Sequence, residues 1–267
     1  MAKVTEESRR LFTEKMQPYK EMIEKSAEKE KSILALINKD TSGTAYKKLL
    51  LAEEMIYVST LWVGINNLSV TYTETKNTDA LNDARKTLYK AIIYLEEVVS
   101  TTIDAPYSDY EPYLAEIVNI PLEKRYLLTR KLGLAIRLVI DAYGENTKWK
   151  MSFVELEGRY ATVAKNILDM KEAIKTYFDP RSPDFDMTVY YIRLIKKLLD
   201  KSATGYRDKY ELSSKRLDDM RLGINYLLAL RRLAIQMNEK DDAEELKKKI
   251  TVWKAKMDKD QQSGVSR

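Results

Sequence analysis

The chain of 267 residues contains no cysteine and no histidine. Without cysteine there are no disulfides, no thiolate nucleophile and no cysteine-based zinc site. Without histidine there is no Ser-His-Asp triad, no H-E-x-x-H zinc site and no H-x-E deaminase centre. The Glu-x-x-His pairs of di-iron helical bundles are excluded as well. Neither a G-x-x-x-x-G-K-[ST] phosphate loop nor a G-x-G-x-x-G turn is present. Glycine and proline are scarce, at 8 and 6 residues, too few turn residues for a mostly-β chain. Met1–Arg10 is charged from the start and has no apolar core of a signal peptide.

What is abundant is helical periodicity. Trp149, Phe153, Leu156, Tyr160, Val163, Ile167, Met170, Ile174 and Tyr177 recur at alternating steps of four and three, the spacing of one helix face. A single helix over 146–178 would run about 45 Å at 1.5 Å per residue. The same reading predicts helices over 5–37, 44–73, 79–101, from Pro121 to a C-cap at Gly144, 185–201, 206–238 and 240–259. Pro18 is expected to kink the first or to mark a break, and Ser26 and Glu30 interrupt its apolar seam. Ser202–Gly205 is either a loop or read through. Tyr206, Tyr210, Leu217, Met220, Ile224 and Leu227 form a second long seam. Leu222, Leu228, Leu230, Leu233 and Ile235 widen its apolar face towards the C-terminal half. Asn77-Thr78-Asp79 offers N-cap oxygens to the third helix.

The fold class is therefore all-α: an elongated or bent bundle of about seven to eight helices, several very long. The expected organisation is a three-helix N-terminal region over 1–101, an irregular Tyr/Pro-rich junction over 102–120, a C-terminal bundle over 121–260 and a disordered tail over 261–267. Met55–Thr73 carries no charge over 19 residues, close to the ~20 a bilayer requires. Its Ser59, Thr60, Asn66, Asn67, Ser69, Thr71 and Thr73 are too polar for hydrocarbon, so the stretch reads as a buried bundle helix and not as a transmembrane segment.

Net charge is +5 and unevenly spread. Residues 1–133 hold 19 Lys and Arg against 20 Asp and Glu, whereas 134–267 hold 27 against 21. The excess concentrates in 187–232, with 11 basic and 5 acidic residues. Lys196, Lys197, Lys215 and Arg216 are the basic residues proposed to meet a partner, and Lys201, Arg207, Arg231 and Arg232 could also meet phosphates. Interleaved aspartates and the lack of a nucleic-acid motif argue against nucleic acid as the ligand. Carboxylate-only magnesium chemistry would draw on Asp218-Asp219, Asp241-Asp242 or Glu244-Glu245. These lie at helix starts and surfaces, where acids favour the helix dipole, so no metal, no cofactor and no catalytic residue is assigned.

Eighteen tyrosines stand against 4 phenylalanines. Tyrosine combines apolar area with a polar tip and suits half-exposed interfaces. Tyr107, Tyr110 and Tyr113 fall in the proline-broken stretch between Pro106 and Pro112, and their functional reading is a protein-contact patch. The alternative is packing of an irregular connection onto the bundle.

The two long seams, the cysteine-free composition, the many tyrosines and the Lys/Glu outer faces together resemble the helical periplasmic proteins that coat spirochaete flagellar filaments and enforce their coiling. That resemblance implies a bent all-helical molecule, flagellin-type filament proteins and other sheath proteins as partners, and a periplasmic location for a mature exported form. Outside it, a cytoplasmic location is expected. It carries over no functional residue. The expected function is a non-catalytic structural or assembly protein that binds other proteins, or further copies of itself, through helix faces. The rival is a cytoplasmic adaptor using 187–232 against an acidic protein, nucleic acid or membrane surface.

Overall fold

The structure is a computed structural model that describes residues 5–145 and 147–264. The described residues are 81% helical with no strand, which establishes the all-α class. Ten α-helices occur among them: α1 (Glu6–Lys39), α2 (Thr44–Thr73), α3 (Thr78–Glu96), α4 (Glu111–Ala115), α5 (Leu122–Tyr143), α6 (Lys150–Asn166), α7 (Met170–Tyr177), α8 (Phe185–Lys209), α9 (Leu217–Gln236) and α10 (Lys240–Gln262). The number exceeds the expected seven or eight for two reasons. The junction holds a short helix of its own, α4, and the long seam over 146–178 is two helices.

The chain divides into two compact units. Unit 1 is Met1–Val98 with Leu127–Lys148, and unit 2 is Val99–Tyr126 with Trp149–Arg267. This differs from the boundaries read from sequence, because most of α5 packs with the N-terminal helices and not with the C-terminal bundle.

In unit 1, α2 packs against both α1 and α3. Leu51, Ala52 and Ile65 of α2 are sealed from solvent, as are Leu81, Ala84, Leu88 and Ile92 of α3. α2 has the length and hydropathy of a membrane span, but 61% of that stretch is buried in the protein. One of its buried polar residues has a definite use. Asn66 accepts the Asn77 backbone N–H at 3.0 Å, and Asn77 in turn caps α3 by accepting the Ala80 N–H at 3.0 Å. The helical assignment of α1 runs unbroken through Pro18. Ser26 and Glu30, which look like faults in its seam, are its two buried residues. Ser26 donates to Glu54 of α2 at 2.6 Å, while Glu30 pairs with Lys90 at 2.6 Å and accepts the Tyr94 hydroxyl, both on α3. Burial first, then the Glu30 carboxylate, pushes the Tyr94 hydroxyl well above its ordinary pKa. α5 turns Leu132, Ala135, Ile136 and Val139 inward. It ends at Gly144, whose φ of +81° and N–H bond to the Ile140 carbonyl at 3.0 Å fit the expected cap.

In unit 2, α8 packs against α6, α7 and α9, and α10 packs against α9. Gly158 on α6 lies under the stacked rings of Tyr206 and Tyr226, whose centroids are 5.7 Å apart. A Cβ at position 158 would come within 2.7 Å of the Tyr206 ring and 2.9 Å of the Tyr226 hydroxyl, so only glycine fits. Thr162 Oγ, one turn on, hydrogen-bonds the same Tyr226 hydroxyl at 3.1 Å.

Three expected helix spans change: the third helix ends at Glu96 and not near 101, and both long seams break. The seam Trp149–Tyr177 breaks after Asn166, because the next carbonyl, on Ile167, accepts Arg125 Nη1 at 3.1 Å and Asp169 caps a new helix by accepting the Glu172 N–H at 3.2 Å. Ile167 and Met170 keep their three-residue step across this break, which is why periodicity alone reads it as one helix. Ser202–Gly205 lies inside α8. The break comes later, at a π-turn over Tyr210–Ser214 closed by Lys215 in the left-handed region at φ +52°. Tyr210, sealed in that turn, donates to Asp260 at 2.7 Å. Of the expected tail, Gln261 and Gln262 belong to α10, and 265–267 lie outside the described residues, as do Met1–Val4. Ile235 is exposed and does not widen the apolar face of α9 as expected, whereas Leu230 and Leu233 do.

Candidate functional site

The irregular segment that follows Val98 is secured to unit 2 by polar groups. Arg125, in the first turn of α5, is 6% exposed. It donates to the carbonyls of Ile120 at 2.9 Å, Ile117 at 2.8 Å and Ile167 at 3.1 Å. One guanidinium thus ties the end of the α4 region to the end of α6. Asn166, the last residue of α6, donates to the carbonyls of Ser100 and Thr102. Arg232 of α9 holds Asp104 through a two-pronged ion pair, Nε to Oδ1 at 2.6 Å and Nη2 to Oδ2 at 3.2 Å.

These anchors decide the fate of the three tyrosines. Tyr110 is 8% exposed and donates to the Thr102 carbonyl at 3.2 Å. Tyr107 is half-buried and donates to Asp169 Oδ1 at 3.1 Å. Burial above all, with the Asp169 charge behind it for Tyr107 and the Asp104 charge for Tyr110, pushes each hydroxyl up to about 12. Tyr110 is therefore too buried for a contact patch and packs the connection onto unit 2, whereas Tyr107 is held by its hydroxyl and keeps part of its ring open. Tyr113 alone is exposed, at 44%.

Two cavities flank the segment. The smaller, about 40 Å³, is lined by Asp104, Tyr110, Lys165, Asn166 and Arg232, among others, and has room for about one or two waters. The Lys165 ammonium stands 4.1 Å from the centroid of the Tyr110 ring, a cation–π contact. Burial lowers its pKa to about 7, with Asp104 pulling it back up and Arg232 pushing it down. The buried Asn166 Oδ1 has no hydrogen-bond partner. The larger is a cleft of about 560 Å³ lined by α4, α7, the start of α8 and the Ile120–Arg125 turn, within the size range of small-molecule sites. Leu114, Val118, Ile120 and Leu168 give it apolar walls, and Glu111, Asp169, Glu172 and Asp184 bring carboxylates to it.

The basic residues of 187–232 do not gather into one free patch. Lys196 pairs with Glu239, Lys201 with Glu157, Arg207 with Glu211, Lys209 with Asp219, Arg221 with Asp218 and Arg232 with Asp104. Lys215 donates to the Glu211 carbonyl, and it is exposed, as are Lys197 and Arg216. The aspartates weighed as magnesium ligands are divided among these contacts: Asp219 is buried between Lys209 and Ser214, and Asp218 faces Arg221. Asp242 and Glu245 line a third cavity of about 280 Å³ beside the Lys196–Glu239 pair. Among the described residues no three acidic side chains are close enough to hold one metal ion.

The chain belongs to the TP0443 family, whose sequence pattern matches residues 8–261. No curated protein and no solved structure matches the chain. Sequence reasoning missed Asp104, Arg125, Lys165, Asn166 and Thr188 as parts of a site. The one local signal was a run of polar positions interrupting apolar sequence at Lys165, Asn166 and Asp169, and it lay in the middle of what looked like continuous helix.

Proposed function

We propose that this TP0443-family protein is a non-catalytic assembly component that binds other proteins through exposed helix faces. The observation that carries the reading is a leucine stripe on α5. Leu127, Leu134 and Leu138 are 43%, 60% and 48% exposed, at steps of seven and four that put them on one side of the helix. They lie apart from Leu132, Ala135, Ile136 and Val139, which fill the core of unit 1. A helix that is apolar on its core side needs no second leucine stripe to fold, and burying each of these half-exposed side chains against a partner is worth about 1 kcal/mol.

The internal pairing of six cations within 187–232 supports this reading over the electrostatic adaptor, because a paired charge has less to offer an acidic ligand. Within the assembly class, the resemblance to sheath proteins of spirochaete flagella makes flagellin-type filament proteins the first partners to try.

The test is a crosslinking pull-down of tagged protein from its source cells, washed at low and at ~0.5 M salt, where the Debye length is only a few Å. It is run beside a Leu134→Glu, Leu138→Glu variant. Structural partners retained in high salt and lost with the variant support the proposal. Partners released by salt and unaffected by the variant would reject it in favour of an electrostatic adaptor.

A further inference from the structure

The smaller cavity of unit 2 holds an amine that the fold leaves without a polar partner. Lys165 is half-buried on α6 and lines this cavity with Asp104, Tyr110 and Arg232. Its ammonium stands 4.1 Å from the centroid of the Tyr110 ring, but among the described residues it makes no hydrogen bond and no ion pair. Its nitrogen is within reach of solvent, unlike the sealed Asn166 Oδ1 of the next residue. Burial lowers its pKa to about 7, so about half of it is neutral at pH 7, where an ordinary lysine is almost entirely protonated. A lysine desolvated in this way is an activated nucleophile.

The surroundings narrow the choice of reagent. The cavity offers about 40 Å³, the room of about one or two waters, which admits a group of about three heavy atoms and not an aromatic ring. Ala105, Leu114, Leu168, Met170 and Leu233 give it apolar walls, suited to a methyl group. A carbamate formed from carbon dioxide would set an anion against the negative face of the Tyr110 ring and beside Asp104, whereas an amide is neutral. Arg232 is close enough for its charge to act on Lys165. Its side chain is 45% exposed and engages Asp104 through Nε and Nη2, which leaves Nη1 for an anionic leaving group.

We propose that Lys165 is an acylation site that takes a small acyl group, formyl or acetyl, from an acyl phosphate. The neutral amine attacks the acyl carbon. A C–N bond forms, the C–O bond to phosphorus-bound oxygen breaks, and inorganic phosphate leaves with the electron pair. The proton lost by nitrogen passes to water at the mouth of the cavity. The site lies in unit 2 and does not depend on the α5 stripe.

Limited treatment of the folded protein with acetyl phosphate, read by peptide mass spectrometry, tests this, with the exposed Lys197 as internal reference. At pH 7 Lys165 should acetylate at least about tenfold faster than Lys197. Its rate should level off above about pH 8, once the amine is neutral. In denaturing urea the preference should vanish, because both amines then stand in water. With benzoyl phosphate the ratio of Lys165 to Lys197 labelling should fall at least about tenfold, because the ring is too large for the cavity. Lys165→Arg should remove the fast label and leave that of Lys197 unchanged. Equal rates at the two lysines in the folded protein, a preference that survives urea, or the same preference with benzoyl phosphate would each overturn the proposal.

Discussion

Tyr94 donates its phenolic hydrogen to the carboxylate of Glu30, a residue 64 positions earlier, and Lys90 pairs with the same carboxylate at 2.6 Å. Two groups of α3 therefore converge on one acid of α1. Glu30 is 7% exposed, so its charge is viable there only because both partners are present.

Replacing Glu30 should therefore be costly. Glu30→Ala is expected to lower the stability of the protein by about 1–3 kcal/mol, since it strands a buried hydroxyl and a lysine together. Glu30→Gln, which can still accept from Tyr94, should lose less. Urea melts followed by circular dichroism measure both, and an effect below ~0.5 kcal/mol for the alanine variant would show the contact to be incidental.

Arg125 supports a different prediction. Its three bonds to the carbonyls of Ile117, Ile120 and Ile167 hold the segment after Val98 to the end of α6. Arg125→Met removes all three and should cost about 3 kcal/mol or more. Hydrogen exchange would locate the damage: amides of 107–120 and 167–172 should exchange faster, while those of α1 and α2 keep their protection.

The tyrosine stack over Gly158 predicts a steric outcome. Gly158→Ala puts a methyl group 2.7 Å from the Tyr206 ring. The crowding should outweigh alanine's better helix propensity and destabilise by about 1–3 kcal/mol. Pairing it with Tyr206→Leu should recover part of the loss, and a double-mutant cycle from thermal melts would read the coupling.

Lys165 makes a pH prediction whose sign is unusual for a lysine. Its folded pKa is about 7, below the ordinary 10.5. Between those values the unfolded chain holds a proton that the folded chain has released, so stability rises with pH across that window. Below about 7 both states are protonated, and the full cost of burying the charge is present. Stability should climb by roughly 1 kcal/mol per pH unit from about 7 towards 10. Lys165→Met should abolish that slope and be the more stable protein at pH 7. Parallel urea titrations at several pH values test this, and parallel slopes in the two proteins would count against it.

The sequence was legible where one physical signal acted alone. The span of α2 follows from a turn at Gly43 and an uncharged apolar stretch, and Thr44–Thr73 is the helix observed. Where polar groups were recruited into the interior, pattern misled. Ser26 and Glu30 looked like defects in a seam because their partners, Glu54, Lys90 and Tyr94, lie on other helices. The seam through Ile167 and Met170 kept its phase while the helix broke, since the apolar spacing depends on which side faces the core and not on unbroken hydrogen bonding. The cleft was illegible for a topological reason. Its lining runs from Tyr107 to Thr188, and no local spacing announces that α4, α7 and the start of α8 share one cavity.

The order in which the chain visits its two units constrains its synthesis. Unit 1 is interrupted after Val98 and completed only by Leu127–Lys148. On the ribosome, the first three helices must wait with their α5 side uncovered until the whole of Val99–Tyr126, a piece of the other unit, has been made. A nascent chain stalled near residue 100 would hold an incomplete unit 1, and the apolar side chains that Leu127–Lys148 helps to bury would be the surface a holdase chaperone binds.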